Sequence, residues 1–536
     1  MLACLVCVHS SCWAQTSAPG AAGSQAALPG AANVTVGSFK VTGNTLLDPA
    51  LIEATLAPTR GQRSMDELRK AVEAVQRLYV DAGFGGVVVF LPPQGGDGGE
   101  ILVSVIEGKL EAIKLVGAKH FSQANVLASV PGLSVGTTPR MHLIDSQISI
   151  ANENPAKRLQ VLLKPGSKTG AIDAELSLQD KPPQQFSVSL DNTGNERTGR
   201  FRAAAGWQHA NLTGNDDVAS AQFQTSPTEA RQVTVLTAAY RLPLPARLLL
   251  LDAYLVYSDI DAGSTETAAG SVRITGRGNL AGLRGTWLMP RSGDLDQRLS
   301  VALDWREYLS TCTLTNIGSA PCSAVDNSVA VTPIGVDFSV RSSDRFSWTA
   351  TVGYAQNLGL GGRRGKQESF TAVRLGAKRD YGLVRASAAF SMPIGTDWQL
   401  RGRSALQWAR KPLVSGEQFG LGGAGSVRGY EERERSGDRG FSGSIELGGP
   451  EMLKRDKPDA ATLRLFGFLD AGVLSNTQGA FCDRTQTRCS LAGTGVGLVF
   501  ERDRLVARLT AAIALKDGGL TRKSDSRAHI FTSYVF

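Results

Sequence analysis

The last 353 residues, 184–536, carry no 3.6-residue hydrophobic period anywhere along their length. Strand-like segments of roughly ten residues recur instead, separated by Gly, Asn, Asp and Ser turns. Phe346, Trp348, Ala350, Val352 and Tyr354 take one face of such a segment, with Ser347, Thr349, Thr351 and Gly353 on the other. Leu299, Val301, Leu303 and Trp305 alternate in the same way with Ser300, Ala302, Asp304 and Arg306. Leu505, Ala507, Leu509, Ala511, Ile513 and Leu515 do so with Val506, Arg508, Thr510, Ala512 and Lys516. A soluble sandwich alternates too, so no single strand decides the matter. The polar faces run to Ser, Thr, Gly and Arg, however, and the connections alternate short and long. That pattern fits a sheet closed in a membrane, lipid outside and water inside. At roughly 22 residues per strand and connection, the segment predicts about 16 antiparallel strands.

At 536 residues the chain exceeds what one compact core usually supports. A hydrophobic content of 42% and a mean hydropathy of −0.08 describe neither a disordered chain nor a helical membrane protein. No apolar run reaches the roughly 20 residues that a spanning helix needs. The net charge of +8 is scattered, without a basic stripe interleaved with aromatics, so no nucleic-acid partner is expected. Residues 1–14 form a short apolar segment ending in a small residue and read as a secretion signal, although a charged leading region is missing. Residues 15–33, rich in Ala, Gly, Pro and Ser, read as a flexible leader.

Three of the seven cysteines, Cys4, Cys7 and Cys12, fall in that signal. The other four form two close pairs in turn-rich stretches, Cys312 with Cys322 and Cys482 with Cys489. Such pairs read as disulfides of an oxidising compartment. A metal site would ask for CxxC spacing or a nearby histidine, and neither pair has them, so no metal is expected. The histidines, His9, His120, His142, His209 and His529, are scattered without a triad or grouping. Neither catalysis nor a cofactor is therefore expected.

Between the leader and the strand-rich segment lie two small α/β units, residues 34–108 and 109–180. In the first, Val34–Val41 reads as a strand, and Asp48-Pro49 opens a short helix. Ser64 and Glu67 make a capping box for a longer helix whose apolar face is Leu68, Val72, Val75 and Tyr79. Strands at Phe84–Leu91 and Ile101–Ile106 follow. The same order then repeats: Ile113-Lys-Leu-Val-Gly117 echoes Phe39-Lys-Val-Thr-Gly43, 74 positions on. A helix near Ser122–Ser129 precedes a second one starting at Thr138-Pro139, which presents Met141, Ile144, Ile148 and Ala151. Leu159–Leu163 and Ala171–Leu178 close the unit, and Lys181-Pro182-Pro183 is a hinge. Neither unit holds a nucleophile–base pair, so both read as binding modules.

Within the strand-rich segment one insert stands out, residues 415–440, whose core is Gly420-Leu-Gly-Gly-Ala-Gly-Ser-Val427-Arg428-Gly429-Tyr430. Gly420, Gly422 and Gly425 match a dinucleotide-binding GxGxxG. That motif requires an amphipathic helix next, and Glu431-Glu-Arg-Glu-Arg435 is polar all round. The glycines read better as a loop that doubles back and carries Arg428 inward. The last segment, Arg527 to Phe536, puts Ile530, Tyr534 and Phe536 on one face, Thr532 being its weaker member.

Taken together, the signal, the paired α/β units, the alternating strands, the Val-Arg-Gly-Tyr loop and the terminal Phe536 resemble the Omp85 superfamily. Within it, the two-partner-secretion branch of haemolysin and adhesin transporters is the nearest in pattern. Asn152-x-Asn154-Pro155 with Leu159–Gly166 looks like that branch's second POTRA domain, and Asp191–Gly199 like its first barrel strand and turn. Phe466-Gly-Phe468-Leu-Asp470-Ala-Gly472 looks like its second barrel motif.

The resemblance implies an outer-membrane β-barrel preceded by two periplasmic POTRA domains. It also implies that Asp470 on the wall pairs with Arg428 at the tip of an inward-folded loop, and that Tyr534 and Phe536 belong to a C-terminal assembly signal read by the barrel-assembly machinery. The expected partners are a secreted exoprotein cargo and outer-membrane lipid, the expected state a monomer. Many relatives begin with an amphipathic helix that plugs the barrel, and the leader here shows no such periodicity. A water-exposed Arg428–Asp470 pair is worth about 0–1 kcal/mol, and about 4 kcal/mol at ~4 Å in a confined setting. The expected function is export of the cargo through the barrel without ATP. An insertase of other barrels and a passive porin are the alternatives.

Overall fold

A computed structural model describes residues 34–94, 99–196, 198–259, 277–291, 293–309, 328–343, 345–453, 460–479, 481–483 and 486–536, with the backbone alone of four short strands between 263 and 321. The secretion signal, the leader and the Cys312–Cys322 pairing lie outside the described residues. Two compact units emerge, residues 34–81 with 87–107, and residues 82–86 with 108–536.

The first unit runs β1 (Val34–Val36), β2 (Ser38–Thr42), α1 (Pro49–Leu56), β3 (Gly61–Arg63), α2 (Met65–Asp81), β4 (Val87–Phe90) and β5 (Glu100–Glu107). β2 lies parallel to β5 and β4 antiparallel to it, in the order β2-β5-β4. The Asp48 carboxylate accepts from the Ala50 N–H at 3.0 Å and caps α1. The Ser64 N–H donates to the Glu67 carboxylate at 2.8 Å, and the Glu67 N–H to Ser64 Oγ at 3.3 Å, which fixes the start of α2. Leu68, Val72, Val75 and Tyr79 are all buried. β4 starts at Val87 rather than Phe84, because Gly83 and Gly86 take positive φ and interrupt an extended run.

The second unit opens with β6 (Lys109–Val116), α3 (Gln123–Ser129), α4 (Met141–Ala151), β7 (Lys157–Pro165) and β8 (Ala171–Asp180). Its sheet, ordered β6-β8-β7, repeats the parallel-then-antiparallel pairing. α4 starts at Met141, later than Thr138-Pro139, because residues 136 and 137 exchange backbone bonds with Leu110 and hold the chain extended. Ile150, outside the apolar stripe read from the sequence, packs on Leu250 and Leu288 of the barrel.

The barrel follows. It comprises β9 (Gln184–Asp191), β10 (Arg202–His209), β11 (Val218–Thr225), β12 (Thr234–Leu244) and β13 (Leu249–Asp259), then the hairpin β14 (Gly263–Thr267) and β15 (Gly270–Ile274). β16 (Arg277–Leu288) and β17 (Leu295–Tyr308) continue it, before the short pair β18 (Thr313–Leu314) and β19 (Ala320–Pro321). Next come β20 (Val329–Val331), β21 (Pro333–Ser342), β22 (Ser347–Asn357), α5 (Gln367–Val373), β23 (Gly382–Ile394) and β24 (Trp398–Ala409). The insert holds β25 (Phe419–Leu421) and β26 (Arg435–Gly437); β27 (Arg439–Glu451), β28 (Thr462–Ser475), β29 (Arg488–Arg502), β30 (Leu505–Ala514) and β31 (Ser526–Val535) complete the wall. β31 pairs with β9 and closes the ring. β20 and β21 share one register against β17 and count as one strand, so sixteen strands close among the described residues.

The alternation decides which face meets lipid. Leu255, Leu283, Leu303, Val352, Tyr354, Ile445, Leu465, Leu469 and Val496 are exposed on the outside. The inner face holds carboxylates as well as the Ser, Thr, Gly and Arg read from the sequence, among them Asp252, Asp296, Asp304 and Asp470. Arginines accompany several of them: Arg241 on Asp252 at 2.7 Å, Arg341 on Asp296 at 2.7 Å and Arg306 on Asp304 at 2.5 Å.

The turn between β10 and β11 is locked to the second α/β unit. The Lys157 side chain is wholly buried; its ammonium pairs with the Asp216 carboxylate and donates to Ser129 Oγ at 2.8 Å. The Asn154 amide donates to the Ala210 carbonyl at 2.5 Å, and that of Asn125 to the Gly214 carbonyl at 2.6 Å. Burial pushes the Lys157 ammonium below its usual value, and Asp216 draws it back up. Asp216 sits at φ 63°, which asparagine tolerates. Asp216→Asn therefore isolates the charge and is expected to cost about 3–5 kcal/mol at this junction by leaving Lys157 uncompensated. Hydrogen exchange should speed up in residues 109–180 and 210–217 but not in the barrel strands; unchanged exchange would show that the pair does not hold the junction.

Candidate functional site

The insert between β24 and β27 spans residues 410–438 and folds into the lumen, starting earlier than the glycine pattern suggests. β25 and β26 pair within it, Gly420 opposite Ser436, and carry the Val427-Arg428-Gly429-Tyr430 tetrad to the inner wall. That wall is prepared for it. On β28 the alternation brings Phe466, Phe468, Asp470 and Gly472 to the inner face. Sheet register then aligns Ser444 of β27, Asp470, Gly493 of β29 and Ala514 of β30 in one row. An acceptor, a carboxylate and two small residues thus make a shallow seat.

Arg428 fills the seat. Its Nε and Nη2 donate to the two Asp470 oxygens at 2.6 and 2.7 Å, and its backbone N–H donates to Asp470 at 3.0 Å. Nη2 also reaches Ser444 Oγ at 3.0 Å, and Nη1 donates to Glu446 at 2.5 Å. Glu446 accepts a second bond from Arg508 at 2.6 Å. Two guanidinium cations thus meet two carboxylates. The Arg428 guanidinium stacks 3.5 Å from the Phe468 ring centre and that of Arg508 4.3 Å from Phe466. The Arg428 and Asp470 side chains are 3% and 0% exposed, so of the two settings weighed from the sequence the pair takes the confined one. Removing one partner of such a pair costs about 3–5 kcal/mol, since the other charge stays buried.

The rest of the tetrad is equally fixed. Val427 packs with Phe419, Leu421, Leu474 and Leu491. Gly429 sits at φ 96°, and its N–H donates to His529 Nε2 at 3.2 Å. The buried Tyr430 hydroxyl lies 2.8 Å from the carbonyls of Ala492 and Lys516 and accepts from the Lys516 N–H at 3.1 Å. A Cβ at Gly472 would come 2.6 Å from Leu421 of the insert. Cys482 and Cys489 form a disulfide, and Cys489 lines the same apolar cluster. Tyr534 and Phe536 stand apart from the seat, ring against ring on the outer face.

Sequence reasoning missed Ser444, Glu446, Arg508 and His529. Ser444 and Glu446 come from β27, Arg508 from β30 and His529 from β31, and only the register gathers them. Gly493, Gly495 and Gly497 did carry a signal: glycine at every second position leaves one strand face bare, and the Phe468 and Phe466 rings lie over the last two.

Residues 170–500 match the family described as haemolysin secretion/activation protein ShlB/FhaC/HecB, and residues 34–108 match the POTRA domain of ShlB type. The chain is 25% identical over 502 residues to the outer membrane transporter CdiB of Escherichia coli, covering 90% of this chain and 79% of that one. It is 24% identical to the hemolysin transporter protein ShlB of Serratia marcescens, with 80% and 76% covered. The solved structure of CdiB from Escherichia coli superposes with a TM-score of 0.78 at 21% identity, over 96% of this chain and 93% of that one, which speaks for the fold. A family match over well more than half the chain, on a closed sixteen-strand barrel, places the protein in the haemolysin secretion/activation family: it is a two-partner-secretion transporter of the outer membrane, in the Omp85 superfamily.

Proposed function

We propose that this transporter exports one large partner polypeptide of the haemolysin or adhesin kind, and that residues 410–438 are the gate of its lumen. The observation that carries the reading is the insert itself, which folds against the inner wall and sets the buried Arg428 on the buried Asp470.

The two α/β units, residues 34–108 and 109–180, would capture the cargo first as an extended segment added at a sheet edge, because backbone pairing tolerates varied side chains. The cargo then enters the lumen unfolded, and folding outside supplies the direction. Nothing in this scheme calls for catalysis, a cofactor or ATP. One copy suffices, since gate and lumen belong to one chain. Tyr534 and Phe536 would present the C-terminal strand to the barrel-assembly machinery.

The test is co-expression with a large secreted partner of the haemolysin or adhesin kind. Cargo is expected in the medium with the full chain and in the periplasm when residues 34–108 are deleted, with the barrel still inserted. Equal secretion by the deleted form would overturn the assigned role of the first unit.

A further inference from the structure

The tetrad is not the only place where the insert grips the wall. Eleven residues earlier, on the limb entering the lumen, the Glu417 side chain is 1% exposed. One of its oxygens accepts from Arg306 Nη1 at 2.8 Å and from the Tyr308 hydroxyl at 2.7 Å, both on β17. The other accepts from Arg385 of β23 at 3.3 Å. The Glu417 carbonyl accepts from the Gln407 amide of β24 at 2.9 Å. Gly416 lies flat on the Tyr308 ring, where an added Cβ would come within 2.3 Å.

These contacts lie on the opposite side of the insert from the Arg428 seat. In the strand order, β17 and β23 precede β24, where the insert leaves the wall, whereas β27 and β28 follow it. The insert is therefore strapped across the lumen from two sides. A cavity of about 680 Å³ lies on the Arg428 side, and one of about 350 Å³ borders Gly416, Gln418 and Phe419. The polarities are opposite: at one end an acid of the insert sits among wall arginines, at the other an arginine sits among wall acids.

We propose that Glu417 is a positioning residue, a second and independent anchor, and that the lumen opens only when it and the tetrad have both let go. This rests on the gate reading above. The test reconstitutes the purified protein in planar lipid bilayers and compares the average conductance of Glu417→Gln, Arg428→Ala and the double variant, with heat-modifiable mobility reporting an intact barrel.

Glu417→Gln keeps the shape and removes the charge. It is expected to raise conductance roughly tenfold, and the double variant more than either single one. Glu417→Asp, which retains the charge, is expected to return conductance toward wild type. Wild-type conductance in Glu417→Gln together with a rise in Arg428→Ala would overturn the second anchor and leave the gate standing. No rise in either would overturn both. Should Glu417→Gln fail to fold, Tyr308→Phe removes one donor and no charge, and wild-type conductance there would refute the proposal.

Discussion

Replacing Arg428 by alanine is expected to abolish export of the partner while the barrel stays inserted and heat-modifiable. Five hydrogen bonds from this residue enter the wall, three of them on Asp470. The backbone N–H survives the substitution, and the four guanidinium bonds do not. Asp470 then remains buried without a cation and Glu446 keeps only Arg508, a loss of about 3–5 kcal/mol from the docked state. The tetrad limb of the insert then has no defined place on the wall, although Glu417 still holds the entering limb. Ions pass more easily, but an unfolded polypeptide meets loose chain where an ordered gate stood. Arg428→Lys is expected to rescue little, because an ammonium cannot bridge both Asp470 oxygens, Ser444 and Glu446 at once. The measurement is cargo in the medium against barrel in the membrane; near-normal export by the alanine variant would sink the anchoring role.

Gly493→Ala is the second large effect, and it touches no charge. A Cβ there would stand 2.1 Å from the Arg428 carbonyl oxygen. Neither atom belongs to a side chain that can swing away, so the tetrad has to lift from the wall. Export is expected to fall nearly as far as in Arg428→Ala, and trypsin should cut sooner at Arg433 and Arg435. Gly335→Ala is the control: a Cβ there meets nothing closer than 3.9 Å and should change neither readout. Normal export by Gly493→Ala would mean that close docking of the tetrad is dispensable.

Much of the architecture could be read before any coordinates. Period-two alternation was legible because lipid and water face opposite sides of every strand, as Leu465 and Leu469 against Phe466 and Phe468 show. Helix starts were legible where a side chain caps them, at Asp48 and Ser64, and shifted where backbone pairing intervened, at Met141. Arg428 and Asp470 could be paired from motifs. Their burial could not, since desolvation depends on Ser444, Glu446, Phe468 and Gly493 arriving from three strands. Glu417 gave no signal at all. One glutamate in a polar insert looks solvated until Arg306, Tyr308 and Arg385 converge on it.

The dryness of the Arg428 seat bears on where such a protein can work. An outer membrane borders a medium whose ionic strength the cell does not set. Dissolved counter-ions screen exposed charges within about 10 Å at ~0.1 M salt and within about 3 Å at ~1 M, yet hardly weaken a pair shielded from solvent. A latch made of exposed charges would slacken in brine and tighten in fresh water. One sealed under Phe468 and the insert's own backbone should hold equally in both.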